Sequence, residues 1–270
     1  MNEAVRITSR DNQHLKFARR VRDRKEPGHI FIEGKRLCRE ALASGVSIEQ
    51  IFCSDKLAGA EFERIRIDSS IPSFIVGDGL IASIADTDSP QGIVMIARRP
   101  ESKTIQELFG NWQRASLPLW ICLERPNNPS NLGSVLRTAE AADVRGVFVT
   151  SDSADPFAPK AVRASMGSAF RLPIASVSDA EALFRTAKRV GVTIAAMDST
   201  GECSYLGFDW TKPTLLILGA EASGISSEAA RTADHIIRIE MKKPVESLNL
   251  AVSAGVVLFE AVRQNRLSDG

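Results

Sequence analysis

Polar residues that could take part in chemistry are concentrated in three loops, each directly after a predicted buried strand. The carboxyl ends of strands are where open α/β sheets bind ligands. We therefore expect the three loops to converge in space and to enclose one site, although they are far apart in the chain. The loops cover residues 124–139, 218–225 and 239–251.

The first loop is rich in proline and asparagine and leads into a helix that begins near Asn131. Backbone N–H groups at the start of such a helix could receive a phosphate or another anion. Arg137 lies inside the helix, so the backbone that carries its side chain is rigid. The same residues also fit an asparagine-capped helix in which Arg137 pairs with Glu140. These residues alone leave both interpretations open.

The second loop contains two glycines, Gly219 and Gly224, which permit sharp backbone turns after a buried strand. Glu221 lies between them. A glycine-rich loop in this position suits a cofactor of nucleoside type. An ordinary strand-to-helix turn fits the same residues equally well.

The third loop leads into the final helix of the chain. Ser247 is well placed to cap that helix. Asn249 follows just inside the helix, where asparagine is neutral at best, so its side chain is a candidate for a functional role. A plain capped helix is the alternative interpretation of this loop.

Taken together and in this order, the loops resemble the three motifs of SpoU (TrmH-like) methyltransferases of the SPOUT superfamily. The chain has Asn-x-Gly-x-x-x-Arg-Thr-Ala from Asn131, Leu-Gly-Ala-Glu-x-x-Gly from Leu218 and Ile-x-Met-x-x-x-x-x-Ser-Leu-Asn from Ile239. Chance agreement is far rarer for three ordered motifs than for one. The resemblance extends from Leu119 to about Arg266.

The first part of the chain is similar to the substrate-binding domain of the same family, whose fold is like that of an L30-type ribosomal protein. The similarity is carried by the sequence Phe-Ile-Glu-Gly-Lys-Arg-Leu over residues 31–37, followed by Glu-Ala-Leu over residues 40–42. Strands that alternate with helices before residue 100, and again from Leu119, indicate two α/β domains joined over residues 101–117 by a linker or a bridging helix. The resemblance makes residues 1–100 an RNA substrate-binding domain and residues 118–270 a methyltransferase domain. It further implies that the second domain has a parallel sheet and a deep trefoil knot.

The activity implied by the resemblance is 2′-O-methylation of a ribose in structured RNA by S-adenosylmethionine, with ribosomal RNA favoured over transfer RNA. Family members usually form homodimers through the knotted domain. The cofactor would be held largely by backbone groups of Leu218, Gly219, Ile239, Met241 and Leu248. The catalytic pocket would be formed by Asn131, Arg137, Glu221, Ser247 and Asn249.

The family's first-motif arginine acts near the cofactor of the partner chain. A guanidinium is effectively never deprotonated in a protein, so a role as base is not expected of Arg137. We expect it instead to orient the target phosphate and to stabilise negative charge on the 2′-oxygen. Two positions depart from the family pattern: Glu240 replaces a usual proline, and Lys-Lys-Pro over residues 242–244 replaces a turn that usually contains glycine.

Basic residues are concentrated at the beginning of the chain. The formal net charge is only +1, but residues 1–39 contain eleven Lys or Arg against five acidic residues. Such a patch suits an RNA backbone, and a solvated helix face is the other interpretation. The residues expected to contact RNA are Arg19, Arg20, Arg22, Lys35 and Arg36.

Other classes of protein find less support. The four cysteines form no C-x-x-C pair and the three histidines are scattered, so we expect neither a disulfide framework nor a metal site. No apolar run is long enough to span a bilayer, which indicates a cytoplasmic protein without a membrane partner.

The catalytic half of the chain does not begin with the G-x-G-x-x-G motif of a Rossmann-type nucleotide enzyme. A catalytically silent RNA-binding protein of the same fold stays the alternative, and the motifs do not distinguish housekeeping modification from antibiotic resistance.

Overall fold

The structure of the chain is a computed structural model that describes residues 4–59, 62, 65, 70–110 and 117–268. The helix that the sequence predicts over residues 58–66 therefore lies largely outside the described residues. Contacts divide the chain into two compact units. The amino-terminal unit comprises residues 1–101 and 156–170, and the carboxyl-terminal unit comprises residues 102–155 and 171–270.

Most of the described strands are followed by a helix along the chain. The strands are β1 (Val5–Ile7), β2 (His29–Glu33), β3 (Ile48–Ser54), β4 (Ser73–Val76), β5 (Ile93–Arg98), β6 (Leu119–Leu123), β7 (Gly146–Thr150), β8 (Ile174–Val177), β9 (Thr193–Met197), β10 (Cys203–Ser204), β11 (Thr214–Leu218) and β12 (His235–Arg238). The helices are α1 (Gln13–Arg22), α2 (Lys35–Ala43), α3 (Asp78–Ile84), α4 (Ile105–Phe109), α5 (Pro129–Ala141), α6 (Pro159–Ser165), α7 (Ser168–Arg171), α8 (Ala180–Arg189), α9 (Ser227–Thr232) and α10 (Leu250–Ser268).

The amino-terminal unit is built on a five-stranded sheet in the order β1-β4-β3-β5-β2. Its first three strands run parallel, and β5 is antiparallel to both β3 and β2. Helix α1 covers this sheet with Leu15, Ala18 and Val21, which recur at helical spacing and are buried. The helix begins at Gln13 because the side chain of Asn12 accepts a hydrogen bond from the N–H of His14.

The segment over residues 156–170 completes the amino-terminal unit. Helix α6 packs against β2. A guanidinium nitrogen of Arg163 lies 2.7 Å from a carboxylate oxygen of Asp86, and the guanidinium of Arg99 lies over the ring of Phe157 at 4.8 Å. The segment therefore contributes apolar, ionic and aromatic contacts within this unit.

Arg22, one of the residues expected to contact RNA, is engaged inside the amino-terminal unit. Its Nη1 donates to the carbonyl oxygens of Ser83 and Ala85, both at 3.1 Å, and its side chain is only 23% exposed. The last carbonyls of a helix have no partner within the helix. Arg22 thus connects α1 to the end of α3.

We expect Arg22→Ala to lower the free energy of unfolding by about 1–3 kcal/mol, because carbonyl groups lose a charged donor. Chemical denaturation followed by circular dichroism measures this change. The matched control is Arg20→Ala, since Arg20 is more exposed and pairs with Glu26 on the surface; such pairs contribute about 0–1 kcal/mol. Equal losses in the two variants would contradict the structural role of Arg22.

The carboxyl-terminal unit contains a seven-stranded sheet in the order β10-β12-β9-β11-β6-β7-β8, and all its paired strands are parallel. Strands β6 and β11 lie at its centre, and every residue of both is buried. Burial on both faces accounts for the uninterrupted apolar sequence of these strands. Helices α5 and α10 pack against each other beside this sheet.

Part of the region expected to be a linker or a bridging helix forms helix α4. Thr104 and Glu107 form a capping box at the start of α4. Leu108 and Phe109 of this helix are buried in the core of the carboxyl-terminal unit, where the carbonyl of Leu108 accepts a hydrogen bond from Nε1 of Trp120 at 2.8 Å. Residues 111–116 lie outside the described part of the chain. Among the described helices, none is both long and apolar enough to cross a membrane.

Candidate functional site

A cavity of about 350 Å³ lies in the carboxyl-terminal unit, where the neighbouring strands β12, β9 and β11 end. Its volume is in the range of small-molecule sites. All five residues that the sequence predicts to hold a cofactor line it, together with Glu221 and Ser247 of the predicted catalytic set. The lining residues are Met197, Asp198, Ser199, Leu218, Gly219, Ala220, Glu221, Ala222, Gly224, Ile239, Met241, Glu246, Ser247, Leu248, Leu250 and Ser253.

The glycine-rich loop after β11 folds back on itself beside the cavity. Ala220 and Gly224 exchange two backbone hydrogen bonds of 3.1 and 2.9 Å, and Gly224 has a φ of +63°, a conformation that favours glycine. A Cβ atom on Gly219 would lie 2.1 Å from the carbonyl carbon of Gly224. Because the backbone of Gly224 and Ile225 occupies the place of that Cβ, the loop can fold in this way only with glycine at residue 219.

Two hydrogen bonds connect the three sequence motifs directly. Nδ2 of Asn131 donates to a carboxylate oxygen of Glu221 at 2.8 Å. Nδ2 of Asn249 donates to Oδ1 of Asn131 at 3.1 Å. Both Nδ2 and Oδ1 of Asn131 are therefore hydrogen-bonded, which fixes the orientation of this amide and of its two partners. The motifs that begin far apart in the chain form one polar chain at the cavity wall.

The start of helix α5 explains why Asn131 is available for this role. Oδ1 of Asn128 accepts hydrogen bonds from the N–H groups of Ser130, at 2.9 Å, and Asn131, at 3.4 Å. Pro129 occupies the first helical position, where its missing N–H costs nothing. The helix therefore begins two residues before the predicted start, and the side chain of Asn131 points away from the cap to Glu221.

Arg137 differs from the other four predicted catalytic residues. Glu221 and Ser247 line the cavity, and Asn131 and Asn249, which do not, are connected to Glu221 by hydrogen bonds. Arg137 is exposed on α5, neither lines the cavity nor hydrogen-bonds to a residue that lines it, and makes no ion pair with any residue that the structure describes. Glu140 is instead bound by Arg171, whose Nη2 lies 2.9 Å from a carboxylate oxygen. The Arg137–Glu140 pair left open by the sequence is therefore not formed.

Glu240, which replaces the usual proline of the family, lies between the cavity-lining residues Ile239 and Met241. Hydrogen bonds from the side chain of Ser204 and from its own N–H, together with the nearby Arg238, hold the pKa of Glu240 below its usual value. Arg238 also donates to the carbonyl of Gly201 at 2.6 Å. These polar contacts hold the backbone in place just after β12, at the position where the usual proline of the family would restrict it.

Sequence reasoning missed the contribution of the strand β9 to the cavity. Met197, Asp198 and Ser199 line it, and they lie at the end of a strand that the sequence predicts over residues 193–197. The rule that ligands bind at the carboxyl ends of strands could have identified them. The other lining residues that were not predicted are Ala220, Ala222, Gly224, Glu246, Leu250 and Ser253.

The five residues expected to contact RNA all lie in the amino-terminal unit. Arg36 is exposed at the start of α2, and the N–H of the neighbouring Lys35 donates to Oε1 of Gln91 at 2.9 Å. The α1 arginines have partners within the unit. Arg19 donates to the carbonyl of Arg10, Arg20 pairs with Glu26, and Arg22 binds the end of α3.

Two family models match the chain. The model of the SpoU rRNA Methylase family matches residues 118–259, and that of the MRM3-like substrate binding domain matches residues 12–95. These matches confirm the predicted fold class, with an amino-terminal substrate-binding domain and a carboxyl-terminal SpoU domain built on a parallel sheet.

Individual relatives agree over the full length of the chain. A 23S rRNA (uridine(2479)-2′-O)-methyltransferase of Streptomyces viridochromogenes is 38% identical over 97% of this chain and 93% of its own. The 23S rRNA (guanosine(2553)-2′-O)-methyltransferase RlmP of Bacillus subtilis is 25% identical over 94% and 97%. The crystal structure of an AdoMet-bound rRNA methyltransferase from Sinorhizobium meliloti has a TM-score of 0.85 at 29% identity, over 97% and 98%. The chain therefore belongs to the SpoU rRNA methylase family.

Proposed function

We propose that this protein methylates the 2′-oxygen of a ribose in structured RNA, with ribosomal RNA as the substrate and S-adenosylmethionine as the methyl donor. The observation that carries the proposal is the convergence of three distant motifs on one cavity, through the Asn249–Asn131–Glu221 hydrogen bonds. The relatives named as 23S rRNA 2′-O-methyltransferases support the same substrate class.

The residues that line the cavity suit the chemistry of the cofactor. Leu218, Ile239, Met241, Leu248 and Leu250 form the apolar part of a mixed lining, which suits a flat base. The missing Cβ of Gly219 allows the glycine-rich loop to fold closely on itself beside the cavity. When bound, S-adenosylmethionine supplies a methyl group activated by its sulfonium.

The side chains of this protein have to position the ribose hydroxyl and stabilise its developing charge. A ribose hydroxyl is a poor nucleophile at neutral pH, so its orientation and the handling of its proton limit the rate. We assign the sugar contacts to Ser247 and Asn249, and the orientation of this pair to Asn131 and Glu221. Arg137 orients the target phosphate and stabilises negative charge on the 2′-oxygen.

The position of Arg137 leads to a homodimer as part of the proposal. Unlike Asn131 and Asn249, Arg137 has no hydrogen bond that connects it to the cavity of its own chain, so we assign it to the cavity of the partner subunit. On α10, Val252 and Phe259 are each 51% exposed. Large exposed apolar side chains mark interaction surfaces when they form a patch. The proposed dimer buries them between two carboxyl-terminal units, each of which carries the trefoil knot of the family.

The amino-terminal unit would bind the RNA backbone through its basic residues, with Lys35 and Arg36 at the start of α2. Affinity that depends on phosphate contacts weakens steeply as the salt concentration rises. Because the proposed substrate is ribosomal RNA, we also propose a cytoplasmic location.

Mass-spectrometric mapping of ribose methylation, in RNA from cells with and without the gene, tests the proposed function. We expect one 2′-O-methylated nucleotide of ribosomal RNA to disappear with the gene and to return with the wild-type gene, but not with Arg137→Ala. Unchanged methylation throughout ribosomal and transfer RNA, in a protein that binds RNA, would favour the catalytically silent alternative.

A further inference from the structure

Asp198 is a cavity residue to which the three motifs assign no role. It directly follows strand β9 and lines the cavity. Its Oδ1 accepts hydrogen bonds from the N–H of Thr200 at 2.8 Å and from Oγ1 of Thr200 at 2.6 Å. These two bonds fix the plane of the carboxylate, so the direction of the second oxygen is fixed as well.

The second oxygen of Asp198 is directed at the glycine-rich loop. Oδ2 lies 3.8 Å from the position that a Cβ on Gly224 would take. It accepts no hydrogen bond from any residue that the structure describes. The half-buried carboxylate therefore presents an acceptor to the space beside Gly224, where the loop leaves room because it has no side chain.

The backbone holds Asp198 rigidly in this position. Its N–H donates to the carbonyl of Ile237 in β12 at 3.0 Å. A Cβ on Gly201 would lie 2.7 Å from the carbonyl oxygen of Ile236, so the turn that follows Asp198 passes directly against β12. Because the backbone at Asp198 is rigid, its carboxylate cannot move to another partner and can discriminate between ligands.

No positively charged side chain that lines the cavity pairs with Oδ2 of Asp198, so this oxygen can accept hydrogen bonds from a ligand. The other carboxylates at the cavity are Glu221, which is bonded to Asn131, and Glu246. The residues that line the cavity include no Lys or Arg. A partly buried carboxylate oxygen without a donor is costly, so a bound ligand with hydroxyl donors gains from it.

The chemistry of the cavity indicates which donors these are. The apolar part of its lining suits a base, and its glycine-rich loop suits the close approach of a nucleoside. The ribose then has two adjacent hydroxyl groups that need an acceptor, and a carboxylate after a strand is the residue that fills this role in other nucleoside-binding α/β sheets. We propose that Asp198 accepts hydrogen bonds from the ribose hydroxyls of the cofactor and so selects cofactors with an intact ribose. This inference rests on the proposed use of the cavity for S-adenosylmethionine.

The chain contains a matched control for the structural role of Asp198. Asp209 accepts hydrogen bonds from the N–H of Thr211 at 3.2 Å and from its Oγ1 at 2.5 Å, in the same Asp-x-Thr arrangement. Asp209 does not line the cavity and has Lys212 as an ionic partner at 3.4 Å. Asp209→Asn therefore perturbs a similar turn without removing a carboxylate from the cavity.

Isothermal titration calorimetry with modified cofactors measures the proposed contact. The titrants are S-adenosylmethionine, its 2′-deoxy and 3′-deoxy analogues, and 5′-methylthioadenosine, which keeps the ribose but lacks the sulfonium and the amino-acid portion. We expect the wild-type protein to bind at least one deoxy analogue about 10- to 100-fold more weakly than the parent, the range of a hydrogen bond to a charged group.

In Asp198→Ala we expect S-adenosylmethionine and methylthioadenosine to bind about 10- to 100-fold more weakly, and the preference over the deoxy analogue to disappear. Asp198→Asn keeps the shape and should lose a smaller part of the preference, while Asp209→Asn should behave as the wild type. Thermal melts of each variant report on folding.

Three results would overturn the assignment of Asp198. The first is a preference for the intact ribose that survives in Asp198→Ala, and the second is an equal loss for the parent and both deoxy analogues. The third is a loss for S-adenosylmethionine without a loss for methylthioadenosine, which would indicate that Asp198 interacts with the ammonium or the sulfonium group instead. Absence of S-adenosylmethionine binding to the wild-type protein would instead overturn the proposed function itself.

Discussion

Gly219→Ala should reduce the affinity for S-adenosylmethionine by about 100-fold or more, which we expect to be among the largest effects of any single substitution at this site. The added Cβ would lie 2.1 Å from the carbonyl carbon of Gly224, 2.3 Å from its carbonyl oxygen and 2.3 Å from the backbone nitrogen of Ile225. These are backbone atoms, so the loop itself has to move. Each buried backbone group that loses its partner costs about 1–3 kcal/mol, and about 1.4 kcal/mol is tenfold in affinity, so displacement of the loop accounts for a loss of this size.

Calorimetric titration with S-adenosylmethionine gives the affinity, and circular dichroism shows whether the variant is folded. Gly79→Ala is the control, because nothing lies within 4 Å of its added Cβ and residue 79 is inside helix α3. There we expect unchanged binding and a gain in stability of about 0.5–1 kcal/mol. Wild-type affinity in Gly219→Ala would mean that the glycine-rich loop is not a wall of the cofactor site.

Arg137→Lys should lower the turnover of methyl transfer by about 100- to 1000-fold, the effect of removing one preorganised group that stabilises charge. Lysine keeps the charge but loses the planar fork that binds a phosphate through two donors. Because Arg137 does not line the cavity of its own chain, the affinity for S-adenosylmethionine should change little. Single-turnover transfer of a labelled methyl group to ribosomal RNA measures the rate, and Arg145→Lys, an exposed arginine of the same unit, is the control.

Mixed dimers show which subunit Arg137 serves. A mixed dimer has one Arg137→Lys subunit and one Gly219→Ala subunit. The Arg137→Lys subunit keeps an intact cavity, and only Arg137 of the Gly219→Ala subunit can complete it. Activity should therefore return when the two inactive variants are mixed and allowed to exchange subunits. No recovery in a mixture that demonstrably contains heterodimers would place Arg137 at the cavity of its own chain.

The buried strands were the elements that sequence reasoning located best. The sequence predicts strands over residues 119–123, 193–197 and 214–218, and β6, β9 and β11 have these bounds, because burial on both faces leaves a continuous apolar run with polar residues at its ends. Helix ends were less well placed, as at α5, which begins at Pro129 with Asn128 as its cap and not near Asn131. The cap could be assigned only once the hydrogen bonds of both asparagines were known.

Two short edge strands could not be predicted. Strand β1 has three residues, of which two are exposed, and it is hydrogen-bonded only to β4. Strand β10 has two residues, paired with β12. Their conformation depends on a neighbouring strand that is distant in the chain, so neither has the apolar periodicity on which sequence reasoning relies.

The candidate site shows the same division between local and long-range information. The motifs named Asn131, Glu221 and Asn249, but their hydrogen bonds depend on the order of strands in the sheet. Asp198 was not identified, since an aspartate before Ser-Thr also fits an ordinary turn. Its significance follows from the adjacency of β9 to both β11 and β12, which no local pattern encodes.

The amino-terminal unit is formed by two separate stretches of the chain, which affects where this protein can be divided. A fragment that stops at residue 101 would lack α6, which packs against β2, and the ionic partner of Asp86 at residue 163. Removal of that helix would bare apolar side chains that are covered in the intact chain. The chain crosses between the units more than once, so a single cut, fusion joint or exchanged module at any one boundary leaves one of them incomplete.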